Sequence, residues 1–130
     1  MNQPAPMLIL IAGPYRSGTG DDPEKMAQNL RRLEEASWPL FKAGHIPMIG
    51  EWVALPIWHT AGGKEVGDHL YDQILYPVAG RLIQLCHAVL RIEGESKGAD
   101  NDVRLATERG IPVYYRLEDV PGCQEHTVHL

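Results

Sequence analysis

The feature that most constrains this chain is a continuous apolar run, Met7 to Ala12, that stops at Gly13-Pro14. Nothing in it alternates between polar and apolar, so a strand built from it has to be covered on both faces. That is the situation of a central strand in a parallel sheet. Shorter runs of the same kind follow at Ala88 to Ile92 and Ile111 to Tyr115, with a brief strand signal at His45 to Ile49. Helical spacing fills the intervals between them. Strands alternating with helices imply βαβ units joined by right-handed crossovers. The expected fold is therefore α/β, a doubly wound (flavodoxin- or Rossmann-like) open parallel sheet of four to five strands flanked by helices.

The helices carry local start and stop signals. Asp22-Pro23 places a capping side chain before a proline suited to the first helical position. Met26, Leu30, Leu33 and Leu40 or Phe41 then recur at helical spacing until Gly44, with Pro39 predicting a break near Ser37. Leu70, Ile74, Val78 and Leu82 predict a second helix, broken at Pro77. Gly98 to Arg109 predicts a third, with Ala99, Val103 and Ala106 on one face and Gly110 as its stop. From Gly50 to Val66 the periodicity dissolves around Pro56 and Gly62-Gly63, and the stretch reads as a long loop, a length often tied to function. Residues 1–6 and about 118–130 read as loose ends of a single domain spanning 1–130.

With 130 residues the chain can bury roughly two thirds of its unfolded surface and fold without staples. The net charge of −5 argues against a nucleic-acid partner, which would need clustered Lys and Arg. A small phosphorylated ligand needs only a few donors and stays open. Cys86 sits in an apolar run and Cys123 in a polar tail, a pattern of one buried and one exposed thiol in a reducing compartment. No run reaches the roughly 20 apolar residues of a membrane span, and no basic segment precedes Met7 to Ala12. The expectation is a cytoplasmic protein with no membrane partner.

In doubly wound sheets ligands bind beyond the carboxyl ends of the strands. Two segments fall there. Glu93 to Asp102 leads from a strand into a helix, whose first-turn N–H groups favour anions. Ser96 is placed to cap it, and Gly98 and Ala99 let a ligand approach the backbone. Asp102 lies one turn beyond Gly98 on the same face, where the helix field should keep its carboxylate ionised, as a nucleophile or cation stabiliser requires. The bland alternative is that Ser96, Asp100 and Asp102 only cap the helix. The other segment, Gly13-Pro14-Tyr15-Arg16-Ser17, continues into Gly18-Thr19-Gly20 and could cradle a phosphate or sugar, yet it matches neither the dinucleotide fingerprint nor the P-loop. In the middle stretch Trp52 and Trp58 could stack on a base while Glu51 or His59 bonds its edge or moves a proton. The same tryptophans could instead fill the core or a subunit contact. Asp68 and Asp72, four apart on one helix, could orient a sugar or simply face solvent. His87 reads as a hydrogen-bonded residue of the third strand.

Three segments together resemble the nucleoside 2-deoxyribosyltransferase superfamily, most nearly its small bacterial branch, with related 2-deoxynucleoside 5-monophosphate N-hydrolases. They are Ile11-Ala12-Gly13-Pro14-Tyr15, Gly44-His45-Ile46-Pro47, and Ser96-Lys97-Gly98-Ala99 followed by Asp102, Ala106 and Gly110-Ile111-Pro112-Val113. The resemblance implies cleavage or transfer at the N-glycosidic bond of a (deoxy)nucleoside or its 5-monophosphate, with no metal and no organic cofactor. It implies a carboxylate nucleophile at the position of Asp102, where the family carries Glu, and a phosphate-holding set like Arg16, Ser17 and Ser96. Asp72, His59 or Glu51 would serve the leaving base. Such enzymes often complete their sites across subunits, so a homo-oligomer, dimer or higher, is expected, with Trp52 and Trp58 as anchors. Two departures, the shorter Asp102 and His87 where many relatives carry Asp, motivate an alternative: a non-catalytic nucleotide-binding or sensing module on the same fold. A third reading is an enzyme of a neighbouring α/β fold that cleaves NAD or a nucleoside monophosphate.

Overall fold

A computed structural model describes residues 4–65 and 68–123. Four parallel strands form one sheet in the order β2-β1-β3-β4, with β1 Leu8–Ala12, β2 Ile46–Met48, β3 Ala88–Arg91 and β4 Val113–Tyr114. The α/β open parallel sheet read from the sequence is therefore the observed fold. Alternate residues of β1 feed opposite cores. Ile9 and Ile11 pack with Leu33, Leu40 and Ala43 on one face, and Leu10 and Ala12 with Ile83, Ala99 and Ala106 on the other. The chain moves from β1 outward to β2, then jumps back past β1 to β3. The strand order thus reverses at the β1/β3 pair, where this class of sheet opens a crevice.

The local signals act as expected. Asp22 caps α1 (Pro23–Glu34) by accepting from the Glu24 N–H at 3.0 Å. The chain bends before Ser37 and resumes as α2 (Ser37–Lys42), which ends at Gly44 in a left-handed conformation, φ 97°. Ser96 caps α5 (Lys97–Arg109), its Oγ accepting from the Ala99 N–H at 3.1 Å, and Gly110 ends it at φ 83°.

Three expectations need correction. The stretch from Gly50 is not a loop: α3 covers Gly50–Thr60 with Pro56 inside it. Its apolar residues fall on every side, so no stripe betrays it, and docking against α4 supplies what local propensity withholds. Helix α4 (His69–Leu85) likewise runs unbroken through Pro77. The missing N–H costs it a hydrogen bond, which the buried face of Tyr71, Val78, Ala79 and Ile83 offsets. The tail is not loose from 118 onward. A short 3-10 turn, Leu117–Asp119, delivers Val120 and Cys123 into the first core, both fully buried, so Cys123 is not the exposed thiol its polar neighbours suggested. The remainder of that tail, 124–130, and residues 1–3 lie outside the described residues. No helix among the described residues is long and apolar enough to cross a membrane.

Candidate functional site

A cavity of about 380 Å³ opens at the carboxyl end of the sheet, over the β1/β3 switch point. Both loops singled out from the sequence line it. Gly13, Tyr15, Arg16 and Ser17 come from the loop after β1, and Ser96, Gly98, Ala99 and Asp102 from the start of α5. Glu51 enters from the first turn of α3, and Asp72 with Tyr71 from the first turn of α4. The two loops touch. A Cβ at Gly94 would lie 2.7 Å from Pro14 Cγ, and one at Gly13 would lie 2.6 Å from Leu33 Cδ2. Only glycine allows these approaches, which draw β1, α1 and the turn after β3 together.

The deep end of the cavity holds two carboxyl groups that resist ionisation. Burial pushes Glu51 up to about 7. Asp102 also rises to about 7, through burial first and then through the charge of Glu51, with the Arg91 guanidinium opposing. The expectation that the helix field keeps Asp102 ionised is therefore corrected, since desolvation and a second carboxylate outweigh it. Arg91 is itself nearly buried and belongs to the scaffold. It donates to the carbonyls of Ile92 and Gly94 and meets Asp100 Oδ1 at 2.9 Å, holding the turn that leads into α5.

Beside the carboxyls lies an aromatic wall. Tyr71 is fully buried, 6.3 Å from the Tyr15 ring and 6.3 Å edge-on from Trp58. Its hydroxyl is buried and has no hydrogen-bond partner among the described residues. Burial and the nearby Glu51 raise its pKa far above the usual tyrosine range. Arg16 lies at the mouth, its guanidinium 5.8 Å from the Tyr71 ring centroid, bonded to Asp21 at 3.1 Å and Asp72 at 3.3 Å.

Three of the residues expected at the site stand elsewhere. Pro14 is buried against Gly94 and does not line the cavity. Trp52 turns away, its indole N–H donating to Glu34 at 2.8 Å. His59 is exposed on the outer side of α3, its ring 4.9 Å from Trp58, because the stretch is a helix that can show the cavity only one side. Trp58 is neither a free stacking platform nor a subunit anchor. It is buried, bonded to Asp68 at 3.1 Å, and Gly63 leaves room for its ring. Asp68 caps α4 rather than facing the site. His87 sits at the opposite, amino end of β3, where its Nδ1 accepts from the Leu8 N–H, and it does not line the cavity. Sequence reading missed Tyr71, whose place on the apolar side of a helix resembles any core tyrosine.

Among the described residues no group of three or more His, Cys, Asp or Glu side chains is arranged to hold a metal ion. No family model, curated protein or solved structure matches this chain.

Proposed function

We propose that this site cleaves the N-glycosidic bond of a nucleoside-type ligand, by hydrolysis or by transfer to another base, with Asp102 as nucleophile. The observation that carries the reading is the Glu51–Asp102 pair, two carboxyls from separate elements facing one cavity, each with its pKa pushed up to about 7. Near pH 7 such a pair holds about one proton between its members. In this reading Glu51 carries that proton and Asp102 the charge, and the Arg91 guanidinium favours the anion on Asp102. That is the division of labour that glycoside chemistry uses: one neutral carboxyl to protonate the leaving group, one carboxylate to meet the positive anomeric carbon.

The steps follow. Asp102 bonds to the anomeric carbon as the C–N bond breaks, and its electron pair leaves with the base nitrogen, which takes the Glu51 proton. Water or an incoming base then attacks the same carbon, Glu51 receives the proton released, and Asp102 departs as carboxylate. Tyr15 offers ring surface for the ligand with Tyr71 buried behind it, and the β1/β3 crevice is where ligands of such sheets collect. Asp102 reaches the cavity from the first turns of α5.

The test is release of free base, followed by chromatography, from a panel of 2-deoxynucleosides, ribonucleosides and their 5-monophosphates, with Asp102→Ala alongside. Release by the wild type and none by the variant is expected. Undiminished release by Asp102→Ala would sink the proposal. A wild type that is stabilised by ligand yet releases nothing would establish the binding module instead.

A further inference from the structure

The charge arrangement at the cavity mouth names the ligand more closely. We infer that the site takes the free nucleoside and turns away its 5-monophosphate, because two carboxylates hold the one cation of the loop after β1. The inference rests on the glycosidic reading above.

Arg16 is the sole basic residue between Gly13 and Asp22, so it is the one cation this loop can offer a phosphate. Its Nε meets Asp21 Oδ1 at 3.1 Å and its Nη1 meets Asp72 Oδ1 at 3.3 Å, while its guanidinium carbon lies 5.8 Å from the Tyr71 ring centroid. The pairing is built into the backbone. Gly18 and Gly20 take left-handed conformations, and Asp21 follows at φ 60°, the one non-glycine residue with positive φ among the described residues. Strain of this kind persists where the surroundings enforce it, and here it accompanies the Asp21–Arg16 contact. Thr19 braces the turn, its Oγ1 donating to the Arg16 carbonyl at 2.6 Å and accepting from the Asp21 N–H at 3.1 Å.

Around the cavity the acids outnumber the bases. Asp21, Glu51, Asp72, Glu95 and Asp102 line it against Arg16 and Lys97. The start of α5 has its Ala99 N–H already committed to Ser96. A phosphate monoester carries between one and two negative charges near neutral pH, and its ionised oxygens only accept hydrogen bonds. Bound here, it would have to displace Asp21 and Asp72 from Arg16 and then lie beside both. The 5-hydroxyl of a nucleoside is a donor, and either carboxylate can accept from it without releasing the arginine. Like-charge juxtaposition of this sort is a strong specificity device.

The experiment compares kcat/KM for base release from one nucleoside and its 5-monophosphate, at low and high salt, in wild type and in an Asp21→Asn/Asp72→Asn double variant. The nucleoside should be preferred by about tenfold or more. The gap should narrow as salt screens the partly exposed mouth, and should close or reverse in the double variant. The salt series needs only the wild type, so it holds even if the variant folds poorly. Equal or better turnover of the monophosphate would overturn this inference and leave the glycosidic reading standing. A nucleoside preference indifferent to both salt and the double variant would overturn the role given to the two carboxylates. Release of base from neither ligand would remove the glycosidic reading and this inference with it.

Discussion

The two ends of the sheet differ in what they leave unpaired. At the amino end, His45 is almost wholly buried and both its ring nitrogens are engaged: Nδ1 accepts from the Met7 N–H at 3.1 Å, and Nε2 donates to the Pro121 carbonyl at 2.7 Å. The exposed His87 also bonds the start of β1, accepting from the Leu8 N–H at 2.9 Å. At the carboxyl end the fully buried Tyr71 hydroxyl has no partner among the described residues, and Glu51 and Asp102 face a cavity that raises both. Polar groups that serve the fold are satisfied within it, because leaving them otherwise costs about 1–3 kcal/mol each. On the proposed reading, the groups left unpaired at one end of the same sheet are the ones a ligand would complete.

That contrast can be broken at several points. Asp102→Asn should lower base release by about 10³-fold or more, since it removes the attacking group. The same substitution should leave the melting temperature unchanged or higher, because an amide is easier to bury than a carboxylate. Loss of activity together with unfolding would put Asp102 among the structural residues and erase the distinction between the ends.

The pH dependence is the next largest effect. The folded pKa values of Glu51 and Asp102, each about 7, stand above the ordinary 4.5 and 3.8. From about pH 4 to about pH 7 the folded protein retains protons that the unfolded chain has released, so this contribution to stability is present at acid pH and lost as pH rises. Each group can contribute up to about 1.4 kcal/mol per pH unit within that window. Thermal melts across it should therefore show a downward slope toward neutrality that flattens in Glu51→Gln/Asp102→Asn. An identical slope in wild type and double variant would show that these carboxyls titrate normally.

At the other end, His45→Ala should cost about 2–3 kcal/mol in denaturant unfolding, because it strands a backbone N–H and a carbonyl and opens a hole between β1 and the tail. Little change would mean that water replaces the imidazole and that this end is less dry than it looks. The smallest effect is expected of Tyr71→Phe. Removing a hydroxyl without a partner should leave stability level or raise it by about 1 kcal/mol, while kcat/KM for base release falls roughly tenfold. A clear loss of stability with no kinetic change would reverse the assignment of Tyr71.

Much of the architecture is written locally. The apolar run at Met7 to Ala12, the Asp22-Pro23 start and the glycine stops at Gly44 and Gly110 act through neighbours a few residues away, so they can be read without the fold. The same holds for the Ser96 cap, for the two loops at the carboxyl edge, and hence for Arg16, Ser17, Gly98 and Asp102 as cavity residues. What the tertiary structure alone decided is everything that depends on distant elements meeting. Helix α3 forms despite Pro56 because α4 covers it, and only that helix sets Glu51 facing Asp102 while turning Trp52 and His59 away. Cys123 is buried because Val120 and its neighbours close over the first core, which no property of a polar tail announces. The raised carboxyls and the unpartnered Tyr71 hydroxyl exist only once burial removes water from them. Desolvation is a property of the assembled fold and not of any stretch of chain.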